Sequence, residues 1–294
     1  MVLDSTRVCW VNGEYVPESE ARVSIFDRGL LFGDGVYEVA AAFNGRSLDA
    51  DLHLARLARS LAAIQIRGSL AAGDWTGVIQ SLLDRNGIDE GFVYLEVTRG
   101  VADRDFPFPA DATPTQFAYA RAKSYRSDPN ARGIALHSVP DIRWDRRDIK
   151  SVALLAQVLA KQEARVAGAY EALMHEDGVV TEGGSSNVWI VQEGMLRTRA
   201  LSNKILAGIT RDVIMQLAYE LGLPVDERPF TVSDAISADE CFMTSATSFV
   251  LPVTRIDGRP VGNGTPGRCT VALRNAYLER AARLTSPDPG QRAT

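Results

Sequence analysis

The sequence predicts an α+β protein of two domains, on three observations. Two Asn-Gly turns, at 12–13 and 44–45, sit between strand-forming runs. Helical runs follow them and give way to further strands, and a polar, turn-rich stretch interrupts the chain near its middle. The 294 residues, 46% hydrophobic, can bury a substantial core, and the length suits two units of ordinary size.

Taken in order, "RVCWV", Asn12-Gly13 and "EYV" carry the strongest short hairpin signal, and "GVYEVAAAF" before Asn44-Gly45 repeats it. "DADLHLARLARSLAAI", 49–64, spaces Leu52, Leu57, Leu61 and Ile64 near the helical period, with Asp49 or Asp51 available to cap it. "GDWTGVIQSLLDRNG" predicts a second helix, stopped at Gly87, and "FVYLEVTRG" and "TQFAYARA" predict two more strands. These make residues 1–120 an N-terminal α+β domain, followed by a linker at 121–133 rich in turn formers and a second domain at 134–284.

In that second domain "GIALHSV" predicts a strand and 151–167 a helix closed by Gly168. "EALMHEDGVVTEGGSSNVWIVQEGMLRT" predicts strands turning at Asp177-Gly178 and Glu193-Gly194. Val213, Leu217 and Leu221 give 209–222 an apolar helical face with Gly222 as its stop, and a last helix covers about 267–284. The tail 285–294 reads as disordered.

A net charge of −5 offers no footprint for nucleic acid or an anionic membrane, and no run has the apolar length of a membrane span. The start lacks the pattern of a signal peptide, so a cytoplasmic protein with small-molecule partners is expected. Three widely spaced cysteines and three solitary histidines support neither a disulfide framework nor a metal site. Gly262, Gly264 and Gly267 match G-x-G-x-x-G, but no strand precedes them and the chain nearly ends after the helix, so they read as turn chemistry. "GGSSN" lacks the spacing of a serine-hydrolase elbow.

The cations are more informative. Only four of them are lysines, Lys123, Lys150, Lys161 and Lys204, against 28 arginines. Arginine cannot lose its proton or form an imine at ordinary pH, so a lysine kept beside an apolar run points to a need for a primary amine. Lys123 falls in the linker, Lys161 on a solvated helix face beside Gln162 and Glu163, and Lys204 in a polar segment before a helix. Lys150 follows a β-like approach and precedes an apolar helix, where desolvation would favour a nucleophilic amine able to hold an aldehyde. An aldehyde coenzyme of the pyridoxal kind also needs a phosphate seat and an acid facing its ring nitrogen. In "LAGITRD" a glycine opens a helix, so Ile209 and Thr210 can present backbone N–H groups, a hydroxyl and the helix dipole to an anion; alone, the motif is also an ordinary threonine cap. Glu182 ends a β-branched run before two glycines, as either a turn former or the required acid.

Together, "FGDGVYE", "RDIKS", "VTEGGSSNVW", "GITRDV" and "TSATS" resemble, in order and across nearly the whole chain, the class IV aminotransferases, the fold-type IV pyridoxal-phosphate enzymes. Within that family "RDIKSVALLAQVLAKQEA" and "TRGVADRDFPFP" are most similar to the D-amino acid aminotransferases. The resemblance implies a small N-terminal α/β domain, a larger barrel-like C-terminal domain, and pyridoxal 5'-phosphate as cofactor. It implies that Lys150 binds the coenzyme and moves the proton, that Glu182 faces the pyridine nitrogen, and that Leu206 lies on the ring. Arg56, Ile209, Thr210 and Thr247 would hold the phosphate. Tyr37 and Arg104 would hold the substrate carboxylate, Arg104 reaching in from the partner of a homodimer. Phe106 stands where the D-amino acid enzymes carry a histidine and cannot donate a hydrogen bond, and Asp103 and Asp105 could compete for Arg104. The expected reaction transfers an amino group from a D-amino acid to a 2-oxo acid, as with D-alanine and 2-oxoglutarate. A branched-chain L-amino acid aminotransferase, an (R)-selective amine transaminase and 4-amino-4-deoxychorismate lyase are the alternatives.

Overall fold

The computed structural model describes residues 7–286. The described residues divide into two compact units, the first holding 7–124, 149–153 and 281–286, the second holding 125–148 and 154–280. This departs from the expected boundaries in one consequential place: Lys150, expected in the second domain, groups with the first unit. The end of the chain also differs, because Thr285 is buried, donates to the Ala281 carbonyl at 2.7 Å and receives Asn44 Nδ2 at 3.2 Å. The rest of the expected tail, 287–294, lies outside the described residues.

The first unit is built on a sheet of β1 (Val8–Val11), β2 (Glu14–Pro17), β3 (Gly35–Phe43), β4 (Arg46–Ser47), β5 (Gly91–Thr98) and β6 (Gln116–Ala122), in the order β2-β1-β6-β5-β3-β4. Its helices are α1 (Arg28–Phe32), α2 (Ala50–Ala63) and α3 (Ala72–Arg85). Alternation along β5 sends Val93, Leu95 and Val97 into a core with Leu57, Leu61, Trp75, Ile79 and Leu82, and leaves Phe92, Tyr94 and Glu96 half-buried on the opposite face. The buried face of α2 is rotated from the expected one: Leu54, Leu57 and Leu61 turn inward while Leu52 is 38% exposed. The adjoining row, His53, Arg56 and Ser60, is buried too, so this helix carries polar groups inward.

β4 covers only Ala42 and Phe43 of β3. The rest of that edge is filled by the lysine segment: Tyr37 N–H donates to the Lys150 carbonyl at 3.0 Å, Val152 N–H to the Gly35 carbonyl at 3.1 Å, and Ser151 bridges Val36. Residues held in this way are extended, so the helix expected from 151 starts only at Leu155. The other missed elements, such as α1 and the helix Val232–Ser237, are short, and short runs carry little periodicity.

The second unit contains β7 (Ile134–Pro140), β8 (Glu171–Glu176), β9 (Val179–Gly183), β10 (Asn187–Gln192), β11 (Met195–Thr198), β12 (Val225–Glu227), β13 (Glu240–Ser245), β14 (Phe249–Ile256) and β15 (Arg259–Pro260). Its helices are α4 (Leu155–Val166), α5 (Ile209–Glu220), α6 (Val232–Ser237) and α7 (Arg268–Leu284) as far as residue 280. The sheet runs β12-β11-β10-β13-β14-β7-β8-β9, with β15 on β14. Laid flat, the path from β10 to β9 would be about 24 Å wide, but residues 184–186 connect the two strands and reach only about 15 Å. The sheet therefore curls on itself, bringing the end of β9 beside the start of β10.

Two sequence readings acquire a structural cause. The Asp177-Gly178 and Glu193-Gly194 pairs both have positive φ, as a tight primed hairpin turn demands. The start of α7, which follows the G-x-G-x-x-G match, is occupied by Glu240: it accepts Cys269 N–H at 2.9 Å and Thr270 N–H at 2.8 Å, leaving no seat for a phosphate.

The segment bearing Arg104 leaves β5 through Gly100, at φ +97, where an added Cβ would stand 1.9 Å from the Thr113 carbonyl oxygen. Gly100→Ala therefore lowers the thermal unfolding midpoint, by the equivalent of more than about 1 kcal/mol. An unchanged midpoint contradicts this packing.

Candidate active site

In the first unit the lysine backbone is fixed on both sides. Besides its pairing with Tyr37, Lys150 N–H donates to Ser60 Oγ at 3.3 Å, and the half-buried side chain brings Nζ to 4.2 Å from the Tyr37 ring centroid. A strand edge, a helix and an aromatic face thus orient one amine.

Arg56 comes from the polar row of α2. Its Nε and Nη2 bond Glu38 at 2.7 and 2.9 Å, and His53 Nδ1 lies 2.8 Å from the same carboxylate. Burial alone would raise the Glu38 carboxyl, but the Arg56 guanidinium and the His53 ring override it and hold it below the usual carboxylate range. Arg56 is therefore a buried cation aimed by a buried anion.

The Arg104 loop is anchored from below. Arg28 donates to the Asp105 and Phe106 carbonyls at 2.6 and 3.2 Å and to Asp34 at 2.9 Å; Arg99 grips Asp34 at 2.7 and 2.9 Å. The exposed Arg104 guanidinium lies 5.4 and 5.8 Å from the Phe32 and Phe106 rings, and Phe106 is 74% exposed. The expected competition is not seen: among the described residues neither Asp103 nor Asp105 pairs with Arg104, and Asp105 instead accepts Phe106 N–H at 2.8 Å.

In the second unit Glu182, only 4% exposed, occupies the place where the curled sheet closes. It accepts Arg143 Nη1 at 2.5 Å, Asn187 Nδ2 at 3.0 Å and Leu206 N–H at 3.1 Å. Arg143 is also forked onto Asp141 at 3.0 and 2.7 Å, and Thr181 Oγ1 donates to Asp141 at 2.6 Å. Burial pushes the Glu182 carboxyl above the usual range in spite of Arg143. Burial likewise works against the Arg143 charge, but Asp141 and Glu182 outweigh it and raise the guanidinium. A carboxylate offers about four acceptor positions. Three donors engage Glu182, and Leu206 N–H is shared between its two oxygens, at 3.3 Å from Oε1 and 3.1 Å from Oε2.

The neighbouring helix start is pressed against the same group. Asn187 Nδ2 donates to the Leu206 carbonyl at 3.0 Å, and a Cβ on Gly208 would stand 2.1 Å from Asn187 Oδ1. Glycine is thus required at the N-cap of α5, where the backbone is extended and no side chain caps the helix. Ile209 and Thr210, both buried, follow it with the N–H groups, hydroxyl and positive dipole end that suit a phosphate. Leu206 is half-buried beside them, and Thr247 lies half-buried in the turn between β13 and β14.

One lysine differs from expectation: Lys161 bonds Glu171 at 2.7 Å and Ser185 at 3.1 Å rather than standing free in solvent, while Lys204 bridges Asp145 and Glu176 at 2.8 and 3.2 Å. Sequence reasoning missed Arg143, Asn187, Glu38 and His53. Asn187 and Glu38 lay in plain view, at the ends of "GGSSN" and "FGDGVYE"; Arg143 and His53 stood out in no motif and are placed by contacts with residues distant in sequence.

A family model described as amino-transferase class IV matches residues 35–256. The chain is 41% identical over 276 residues to a D-alanine aminotransferase of Bacillus licheniformis, covering 92% of the chain and 98% of that protein. It is 40% identical over 274 residues to a D-alanine aminotransferase of Staphylococcus haemolyticus, covering 92% and 97%. Among solved structures, the T.th. branched-chain amino acid aminotransferase with pyridoxamine 5'-phosphate superposes with a TM-score of 0.88 at 28% identity, covering 97% of the chain and 96% of that one.

Removing Arg143 leaves Glu182 and Asp141 buried without their shared cation. Arg143→Met therefore costs about 3–5 kcal/mol of stability near neutral pH, since breaking a buried pair strands a charge. Glu182 already titrates above the usual range, and losing Arg143 raises it further, so acidification neutralises it earlier and the deficit against the parent protein shrinks as pH falls. Thermal unfolding measured across pH checks this, and a deficit independent of pH contradicts it.

Proposed function

The chain belongs to the class IV aminotransferases, and from that membership we propose that it transfers the amino group of a D-amino acid to a 2-oxo acid with pyridoxal 5'-phosphate as coenzyme. D-alanine and 2-oxoglutarate are the first pair to assay. Support comes from the D-alanine aminotransferases at about 40% identity over nearly their whole length, and from the pyridoxamine phosphate named with the T.th. structure. The observation that carries the coenzyme reading is the Glu182 carboxylate: it is buried, ionically supported by Arg143 and tied through Asn187 to the start of α5.

When bound, the coenzyme supplies an aldehyde that carries the amino group and a ring that accepts electrons from the substrate. Lys150 Nζ would hold the coenzyme and, as a free amine, would serve as the base that takes and returns the proton at the substrate Cα. Glu182 would face the ring nitrogen and favour its protonated form, and Arg143 would support the charge on Glu182. The N–H groups of Ile209 and Thr210, the hydroxyls of Thr210 and Thr247, and the Arg56 guanidinium hold the phosphate. Leu206 excludes water from one ring face. Tyr37 and Arg104 orient the substrate carboxylate, with Phe106 as an apolar neighbour.

We place Arg104 of a second copy in each site. In a single chain Phe26, Leu30, Val101, Leu155, Val158 and Leu159 are exposed; on α4, Leu155, Val158 and Leu159 follow i, i+3, i+4 and make an apolar face that a homodimer would cover. Three free cysteines suit a reducing compartment such as the cytoplasm. Among the described residues no helix is long and apolar enough to cross a membrane.

Half-reaction spectroscopy tests the proposal. The coenzyme-loaded protein is mixed separately with D-alanine, L-leucine and (R)-1-phenylethylamine. D-alanine converts the yellow form within the turnover time and the other two do so much more slowly; conversion by L-leucine but not D-alanine overturns the assignment in favour of the branched-chain activity.

A further inference from the structure

Around Tyr37, one face of the first sheet carries Tyr94, Tyr119 and Glu96, to which the transamination chemistry gives no role. Tyr37 on β3 and Glu96 on β5 are register partners, so their side chains rise from the same face, with Cβ atoms about 4.5–5.5 Å apart. Tyr37 stacks on Tyr94 with ring centroids 5.4 Å apart, and Tyr94 stacks on Tyr119 at 5.2 Å. The Tyr94 hydroxyl donates to Glu96 Oε2 at 2.5 Å. The catalytic amine is already part of this surface, because Lys150 Nζ lies over the Tyr37 ring.

Glu96 differs in kind from the other acids near the candidate site. Glu38, Asp34, Asp141 and Glu182 each have an arginine within salt-bridge distance. Among the described residues no lysine, arginine or histidine pairs with Glu96, and burial raises its carboxyl above the usual range. Burial, then the Glu96 charge, also pushes up the Tyr94 phenol. A carboxylate set among phenol faces, lacking a cation and close to the reacting amine, has the composition that recognises an ammonium: an ion pair on one side and aromatic quadrupoles on the other.

We propose that Glu96, backed by Tyr94 and Tyr37, is a specificity-determining residue that reads the charge on the donor's side chain, favouring D-amino acids that end in an ammonium, such as D-ornithine, over those that end in a carboxylate, such as D-glutamate. This rests on the transamination reading. The same carboxylate ranks 2-oxoglutarate as an acceptor that the site tolerates, below one with a neutral side chain.

The test uses coenzyme-loaded protein and single-turnover half-reactions with D-ornithine and D-glutamate, comparing the parent protein with Glu96→Gln and Glu96→Asp. The ratio of kcat/KM for D-ornithine to that for D-glutamate falls by roughly tenfold or more in Glu96→Gln, and Glu96→Asp, which keeps the charge, restores its direction. A ratio unchanged in Glu96→Gln overturns the proposal and leaves Glu96 a structural partner of Tyr94. The parent protein tests it independently of any variant, since more efficient use of D-glutamate than of D-ornithine also overturns it. D-alanine run alongside keeps the two readings apart: failure to convert D-alanine, L-leucine or any other amino acid counts against transamination itself.

Discussion

The pairing of residues 150–152 with the open edge of β3 is the constraint from which the rest follows. A lysine side chain has four rotatable bonds, and a primary amine at the end of a free loop would sample a wide volume of water. Here the carbonyl of Lys150 is taken by Tyr37, its N–H by Ser60, and its neighbours by Gly35 and Val36. The same exchange places Tyr37 beneath the amine, so anchoring and placement are one event. It also sets where α4 starts, because the residues that would have made its first turn are spent as strand.

The second unit answers a different problem, that of keeping a carboxylate charged out of water. Glu182 is supported by Arg143, which is itself supported by Asp141, and that by Thr181. Such a chain of charges is costly to assemble and unnecessary for folding alone, since apolar residues could fill the same volume. Its retention makes sense if the carboxylate must meet a positively charged ring nitrogen. Asn187 ties this acid to the start of α5 by bonding both Glu182 and the Leu206 carbonyl, so the group proposed to face the ring and the group proposed to seat the phosphate are set by one amide. The closeness of that amide explains the glycine at 208 better than any need for an unusual φ, which is an ordinary −74°.

Much of this was legible in the sequence, for identifiable reasons. Hairpins announced by Asn-Gly and Asp-Gly pairs depend on two adjacent residues, and α3, α5 and α7 on periodicity over many; both signals are local. The lysine was legible because lysine is rare here. What stayed hidden depends on contacts between distant residues. Arg143 looks like any of 28 arginines until the sheet closes around Glu182. The inward turn of His53, Arg56 and Ser60 could not be read from α2, because an apolar-face analysis expects polar residues to turn outward. The return of 149–153 to the first unit required knowing that β4 is only two residues long and leaves an edge to be filled.

If Lys150 is the residue that bears the coenzyme, borohydride reduction of the coenzyme-loaded protein must make the attachment permanent at one position. With only four lysines in the chain, peptide mass spectrometry can survey all of them. The account predicts the phosphopyridoxyl mass on the peptide containing Lys150 and no comparable label at Lys123, Lys161 or Lys204. A label on one of those three with Lys150 unmodified would contradict it.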